Sequence, residues 1–251
     1  MKYIKENWKF LIFVVLASII GGYFTTMISF QSLSPEMLET VLEKFGSEKI
    51  AVIISTVQSV IFSVIYCILG LILSNATELW KKFIAKKNAF IAVIIISLVG
   101  GLALSVFDRY VFGSMIEPVR QSYETKPTIE YIIASFTYGG VCEEVMLRLF
   151  VMSLLSWIIA KIFFRKKETI PTGVFVTANI ISALLFAAGH IPATIQTFGY
   201  VNALILFRCF LMNGAFGVAF GWLYRKHGIH YAMLAHFGAH LISKLIWIIF
   251  I

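Results

Sequence analysis

Residues 89–107 read AFIAVIIISLVGGLALSVF, a run of 19 residues without a charged side chain. An α-helix needs about 20 predominantly apolar residues to cross a bilayer, so this stretch predicts a transmembrane helix. Six further apolar stretches occur along the chain, at residues 10–30, 50–73, 128–164, 172–190, 200–223 and 229–251. The sequence therefore predicts an all-α fold, a polytopic transmembrane helix bundle of about seven to eight membrane segments.

The amino-acid composition also indicates a membrane protein. The chain is 59% hydrophobic and 14% charged, with a mean hydropathy of +0.88. Soluble domains are about 45–50% apolar and about 25% charged. Without a linker or low-complexity tract, residues 1–251 are expected to form a single integral membrane domain whose partner is the lipid bilayer. Cys67, Cys142 and Cys209 lie in apolar stretches without CxxC spacing, which favours small buried residues over a disulfide framework or a zinc knuckle.

The net charge of +8 would also suit a nucleic-acid-binding protein, but the positions of the charges argue against it. The basic residues cluster in short loops beside apolar spans, where the positive-inside rule explains them. One side carries Lys2, Lys5, Lys9, Lys81, Lys82, Lys86, Lys87, Arg165, Lys166, Lys167, Arg225 and Lys226, and the other carries Glu36, Glu39, Glu43, Glu48 and the mixed stretch 108–126. We therefore predict no nucleic-acid partner and a multi-pass protein of the cell membrane with a cytoplasmic N-terminus.

Two segments depart from a simple span. The stretch 10–30 is too long for the h-region of a signal peptide, and no small-x-small cleavage site follows it, which favours an uncleaved anchor. The stretch 128–164 is too long for one straight span, and Gly139-Gly140 is expected to break or kink it. A half-helix followed by a span would give the eighth segment and would change the side on which the C-terminus lies.

Glu143 and Glu144 lie within this long segment, followed by Arg148. A charge at the centre of a membrane helix costs roughly 2.5–3.5 kcal/mol on insertion scales and usually marks a functional site. Glu144 and Arg148 are four residues apart in the favoured order for a helical ion pair. Glu143 lies about 100° further round the helix, which leaves it able to face a cavity. The alternative is that both glutamates only hold helices together through Arg148.

Histidines supply a second set of candidate site residues. His190 ends the segment 172–190, where it could also be an interface residue or a helix cap. His236 and His240 are four residues apart and share one face of the last segment, a spacing that suits two ligands of one metal or two hydrogen bonds to a neighbouring helix. No HExxH motif occurs, so the usual zincin helix is absent.

Three motifs, in order, resemble those of the CPBP family of intramembrane proteases. They are Glu143-Glu144-x-x-x-Arg148, Phe186-x-x-x-His190 and His236-x-x-x-His240, which resemble EExxxR, FxxxH and HxxxN. This family includes the type II CAAX prenyl endopeptidases and the bacterial Abi proteins linked to bacteriocin processing and self-immunity. The resemblance covers residues 138–242, with residues 221–226 similar to the usual lead-in to the third motif. It divides the domain into N-terminal spans at 1–127 and a family-like catalytic core at 128–251.

Two positions differ from the family pattern. His240 stands where the family has asparagine, and Leu149 stands where many members have glycine. An imidazole can still donate a hydrogen bond to an oxyanion, but its reach differs from that of a carboxamide and it can become charged.

The resemblance implies an intramembrane endopeptidase, described as a metalloprotease, that cleaves a membrane-associated or prenylated protein or peptide. Glu143 would be the base that activates water, because a second carboxylate in apolar surroundings suits it to accept a proton. His190 would hold the water and protonate the leaving amine, while His236 and His240 would donate to the oxyanion. Glu144, Arg148 and Phe186 would support them. Glu143, His190 and His236 could instead complete a zinc site with water as the fourth ligand, so the cofactor is left open between one zinc ion and none.

Two other classes compete with the protease. A proton-coupled transporter would also place Glu, His and Arg in its spans, and Arg208, Asn213 and Lys244 would then join the path, although no internal repeat is visible. A non-catalytic membrane scaffold or bacteriocin-immunity protein would keep the fold with an altered site, as His240 allows. In a simple seven-span topology Glu143, His190 and His236 would lie at different depths, so the side on which the site opens is not predicted.

Overall fold

Seven helices that are long and apolar enough to cross a membrane make up the computed structural model, which describes residues 2–251. They are α1 (Trp8–Gln31), α2 (Glu48–Ala76), α3 (Lys87–Phe112), α4 (Ile129–Phe163), α5 (Thr172–Phe198), α6 (Ala203–His227) and α7 (Ile229–Phe250). Three further helices lie outside the spans, at Lys2–Glu6, Pro35–Phe45 and Glu117–Ser122. Residues 2–251 contain no β-strand. The predicted all-α polytopic bundle is confirmed, and it has seven candidate membrane segments rather than eight.

Local sequence explains where several helices begin. The side chains of Ser47, Thr128 and Asn202 accept hydrogen bonds from backbone N–H groups in the first turns of α2, α4 and α6. Such N-caps satisfy donors that have no partner within the helix. At most of their ends, the spans differ by only a few residues from the apolar stretches of the sequence. The largest difference is in α5, where the backbone continues past His190 as the helix Ile191–Phe198.

Gly139 and Gly140 do not break α4, so that part of the prediction is wrong, whereas the alternative of a kink stays a prediction. The helix runs continuously from Ile129 to Phe163, and its centre is π-helical over Ser135–Glu143 and Val145–Met152. Both glycines face α7, because a Cβ on Gly139 would meet the ring of His240 and a Cβ on Gly140 would meet Phe237. They serve close helix packing rather than chain reversal, as small residues commonly do in membranes.

Large apolar side chains cover the outside of the bundle. Phe13, Ile94 and Ile249 are among many that are exposed on the helices. Together with the seven spans, this surface makes the chain a multi-pass membrane protein, because in lipid the backbone polar groups are satisfied inside helices and apolar side chains can face outward. The division into N-terminal spans at residues 1–127 and a catalytic core at residues 128–251 stays a prediction.

Buried polar contacts fasten α3 to α6 and α7. Arg208 binds Asp108 through two hydrogen bonds, Nε to Oδ1 and Nη2 to Oδ2, each 2.6 Å. Tyr123 donates to the same carboxylate at 3.1 Å. Ser97 and Ser243 donate to the carbonyls of Ala235 and Leu104, which links α3 to α7. Arg208 therefore has a structural partner that the sequence did not reveal.

The prediction that Glu143 and His236 would lie at different depths is wrong, because α4 and α7 do not start and end at the same depth. Ser153, ten residues before the end of α4, hydrogen-bonds Tyr224 near the end of α6 at 2.7 Å. The last part of α4 therefore extends beyond the level at which α7 begins. Glu143, roughly 30 Å along α4 from Phe163, can thus meet His236, which is only about 10 Å into α7.

Basic loops meet at one end of the bundle. Lys81 Nζ donates to the carbonyl of Arg225 at 2.8 Å, and Arg225 Nη2 donates to Thr172 Oγ1 at 2.9 Å. These contacts join three connections that the charge pattern assigned to one side. The cytoplasmic placement of this side stays a prediction.

Candidate active site

A cavity of about 760 Å³ lies between α1, α4, α5, α6 and α7. Glu143, His190, His236 and His240 all line it, together with Phe186. These residues come from three helices and are up to 97 residues apart in the sequence, from 143 to 240. The bundle therefore brings the predicted site residues to one place.

The carboxylate of Glu143 lies between two imidazoles. Its Oε1 is 3.8 Å from His190 Nε2, and its Oε2 is 3.9 Å from His236 Nε2. Both distances are too long for direct hydrogen bonds. They leave room for a small group to bridge the carboxylate and the rings, as a water molecule can between polar groups.

His190 is oriented by its own helix. Its Nδ1 lies 2.8 Å from the carbonyl oxygen of Phe186. A carbonyl only accepts hydrogen bonds, so Nδ1 carries the proton and donates, and in the neutral ring Nε2 offers a lone pair toward Glu143. The ring of Phe186 packs edge-on against His190 with centroids 4.8 Å apart. The spacing of Phe186 and His190 therefore fixes the direction of the imidazole through both backbone and side chain.

Glu144 joins two helices as well as pairing with Arg148. Its Oε1 is 3.0 Å from Arg148 Nη1 on α4, with both side chains buried. The same oxygen is 2.9 Å from Nδ1 of His236 on α7. His236 thus donates from Nδ1 and turns Nε2 toward Glu143. The spacing of four residues predicted the pair of Glu144 with Arg148. The contact of Glu144 with His236, 92 residues further along the chain, is seen only in the tertiary structure.

Aromatic rings enclose the guanidinium of Arg148. Its Cζ is 4.5 Å from the ring centroid of Phe186 and 5.5 Å from that of Phe220. Phe220 also stacks on His236, with centroids 4.6 Å apart. Cation–π attraction is strongest for desolvated cations such as this one. Phe220 was missed in the sequence, where it is one apolar residue of a long apolar run.

His240 packs at the edge of the same group. Its ring stacks on His236 with centroids 4.9 Å apart, and its Nδ1 has no hydrogen-bond partner among residues 2–251. A Cβ placed on Gly139 would lie 3.0 Å from His240 Nε2 and 3.8 Å from Glu143 Oε2. Gly139 therefore leaves the space that the imidazole occupies.

The side chains do not form a metal site as they stand. Within residues 2–251, no group of three His, Cys, Asp and Glu side chains has the placement that a metal ion needs. The donor types of Glu143, His190 and His236 would suit zinc, and the carboxylate lies 3.8 Å and 3.9 Å from the two rings, somewhat wider than the separation of about 3.4 Å between tetrahedral ligands at about 2.1 Å from one ion. The zinc site stays a prediction, which metal analysis of the purified protein tests.

We expect Arg148→Ala to destabilise the protein by about 3–5 kcal/mol, because it leaves the buried Glu144 carboxylate without its cation. The melting temperature in detergent measures the effect. The control is Arg165→Ala, which removes an exposed arginine two residues beyond α4. Equal melting temperatures for the two variants would show that the buried pair is dispensable.

Comparison with known proteins locates this site in a family. Residues 125–242 match the family of type II CAAX prenyl endopeptidase Rce1-like proteins. The matched region runs from just before α4 into α7 and contains every predicted site residue, whereas α1 to α3 lie outside it. The chain matches no curated protein and no solved structure. The match implies a protease and gives no support to the metalloprotease class. The resemblance to the CPBP proteases is thus confirmed over residues 125–242, which are similar to the type II CAAX prenyl endopeptidase Rce1-like proteins.

Proposed function

We propose that this protein is an intramembrane endopeptidase that hydrolyses a peptide bond of a membrane-associated or prenylated protein or peptide with water activated by Glu143. The observation that carries the proposal is the carboxylate of Glu143 held between Nε2 of His190 and Nε2 of His236 on the wall of a membrane-embedded cavity. The family match supports the reaction class.

The first step is attack of water on the peptide carbonyl. A water molecule in hydrogen-bond range of both Glu143 Oε1 and His190 Nε2 spans their separation of 3.8 Å. Glu143 accepts a proton from this water as its oxygen attacks the carbonyl carbon. Because Phe186 fixes His190, the water is held in one position relative to the carboxylate.

His236 and His240 face the developing oxyanion. His236 already donates from Nδ1 to Glu144, so it donates from Nε2 only when the ring is doubly protonated. His240, stacked beside it, is able to donate from a neutral ring. Donors placed before the reaction stabilise the tetrahedral intermediate without reorganisation.

Collapse of the intermediate needs a proton on the leaving amine. The proton that Glu143 has taken passes to the nitrogen through His190, whose Nε2 faces the carboxylate. The C–N bond then breaks, and Glu143 is again ionised. The same two groups therefore act first as base and water holder, and then as acid.

The proposal also covers the substrate and the location of the protein in the membrane. A cavity of about 760 Å³ is within the range of ligand-binding pockets and would accept a short peptide segment. The family description favours a prenylated protein or peptide as substrate. We place the protein in the cell membrane with its N-terminus in the cytoplasm, on the basis of the lysine and arginine distribution.

The alternatives are less well supported. A proton-coupled transporter would use Arg208 as a free cation, yet Arg208 is bound to Asp108 through both Nε and Nη2 of its guanidinium. A scaffold or bacteriocin-immunity protein without catalytic activity rests on His240 alone. The protease is therefore the function that the geometry favours.

We expect Glu143→Gln and His190→Ala each to lower the cleavage rate by about 10²–10⁴-fold, because they remove the proton acceptor and the group that holds the water. Cleavage of a farnesylated CAAX peptide by the purified protein measures the rate. Glu130→Gln and His227→Ala are matched controls outside the cavity. Melting temperatures like the wild type's exclude unfolding, and a wild-type rate for Glu143→Gln would contradict the assignment of the base.

His240→Asn restores the carboxamide of the family motif, and we expect it to retain or raise kcat/KM. The amide can donate to the same oxyanion and does not become charged. The same peptide assay, run over a range of pH, measures the change. Loss of activity in a folded His240→Asn protein would indicate that the imidazole has a role of its own.

Gly139→Ala is expected to lower kcat by about tenfold or more while the helix stays formed. The added methyl group would lie 3.0 Å from His240 Nε2 and displace the ring from the oxyanion. Gly173→Ala adds the same methyl group in open space at the start of α5 and is the control. Equal activities of the two variants would show that the position of His240 does not matter for the reaction.

A further inference from the structure

The active-site cavity extends to one end of the helix bundle. Its lining includes Ser32, just beyond the end of α1, Tyr131 in the first turn of α4, and Thr197 in the last turn of α5. Ser32 and Thr197 are exposed. Gln196 Nε2 donates to the carbonyl of Ser29 at 2.9 Å, which shows that α1 and α5 end close to each other. These residues therefore surround the entrance of the cavity.

Packed side chains close the cavity toward the other end of the bundle. The lining stops at Val151, twelve residues before the end of α4, and at Phe220, seven residues before the end of α6. Beyond these positions Leu223 is 0% exposed, and Ser153 hydrogen-bonds Tyr224 between the two helices. The core therefore separates the proposed catalytic groups from this end.

The closed end is also the basic end of the bundle. The connections at this end carry the basic clusters at 81–87, 165–167 and 225–226, and Lys81 donates there to the carbonyl of Arg225. The connection after α1, at the open end, carries Glu36, Glu39, Glu43 and Glu48. Lysine and arginine are in excess in the cytoplasmic loops of membrane proteins. By this rule the closed end faces the cytoplasm and the entrance faces outward.

We propose that the active site opens on the outer side of the cell membrane and that its substrate is an exported peptide segment displayed there, rather than a protein of the cytoplasm. The proposal rests on the proposed protease function for the cleavage, and on the position of the entrance relative to the basic loops for the side. Glu143 lies fourteen residues after Ile129, the start of α4, which is roughly 20 Å along the helix. An extended segment can reach this depth, whereas a folded domain cannot.

Cysteine labelling measures which end of the bundle lies outside. We expect Ser32→Cys and Thr197→Cys to react with a membrane-impermeant maleimide in intact bacterial cells that express the protein. Lys166→Cys, an exposed position at the basic end, is the matched control and should react only after the cells are permeabilised. The three native cysteines are buried, so the wild-type protein gives the background. Labelling of the entrance positions only after permeabilisation would overturn the proposal.

Cleavage by sealed membranes tests the side from which the substrate enters. The probe is the farnesylated CAAX peptide, made with a charged fluorophore and added outside either spheroplasts or inverted vesicles that contain equal amounts of protein. We expect the spheroplasts to cleave it about tenfold faster or more, because the bilayer keeps a charged peptide on the side where it is added. Detergent should make the two rates equal, and membranes with Glu143→Gln give the background rate. Equal rates before detergent, or faster cleavage by the inverted vesicles, would overturn the proposal.

Failure of the outward-facing site and failure of the protease give different results. Labelling of Ser32→Cys and Thr197→Cys from outside, in a protein that cleaves no peptide in detergent, would support the orientation and refute the protease. Cleavage in detergent, with labelling of both positions only after permeabilisation, would refute the outward-facing site and leave the protease intact.

Discussion

The carboxylate of Glu144 is shared between Arg148 of its own helix and His236 of α7, and the geometry of the site depends on this arrangement. In a bilayer an unpaired carboxylate has no water to solvate it, so its partners are confined to the interior of the bundle. The pair with Arg148 satisfies the charge, and the bond to His236 fixes which way that imidazole points. Glu143, the preceding residue, then faces the opposite nitrogen of the same ring.

Arg148 extends this constraint to α5 and α6. Phe186 and Phe220 pack on its guanidinium, and Phe220 also stacks on His236. No aligned hydrogen bond reaches Nη1 or Nη2 of Arg148 within the described part of the chain, so charge and aromatic contact hold it. The carbonyl oxygen of Phe186 in turn accepts a hydrogen bond from Nδ1 of His190. One buried cation thus connects all the helices that supply the proposed catalytic groups.

The backbone of α4 shows a second physical feature of the site. Its π-helical turns cover Gly139 and Glu143 and resume directly after Glu144, and π-helical turns within α-helices are frequently found at functional sites. Close approach of α4 to α7 depends on Gly139 and Gly140, which leave room for His240 and Phe237. The substitution of the family asparagine by His240 is accommodated in this space, since the ring stacks on His236 rather than displacing it.

The sequence by itself determined the class of the protein, the number of spans to within one, and the helical pair of Glu144 and Arg148. These features depend on hydropathy over about 20 residues and on spacing within one helical turn, which are local properties. Local spacing could not predict the bond between Glu144 and His236, the continuity of α4 through Gly139, or the pairing of Arg208 with Asp108. The contact between Glu143 and His236 was equally hidden. These features depend on how far each helix slides along its neighbours, which is set by side-chain packing between residues that are distant in the chain.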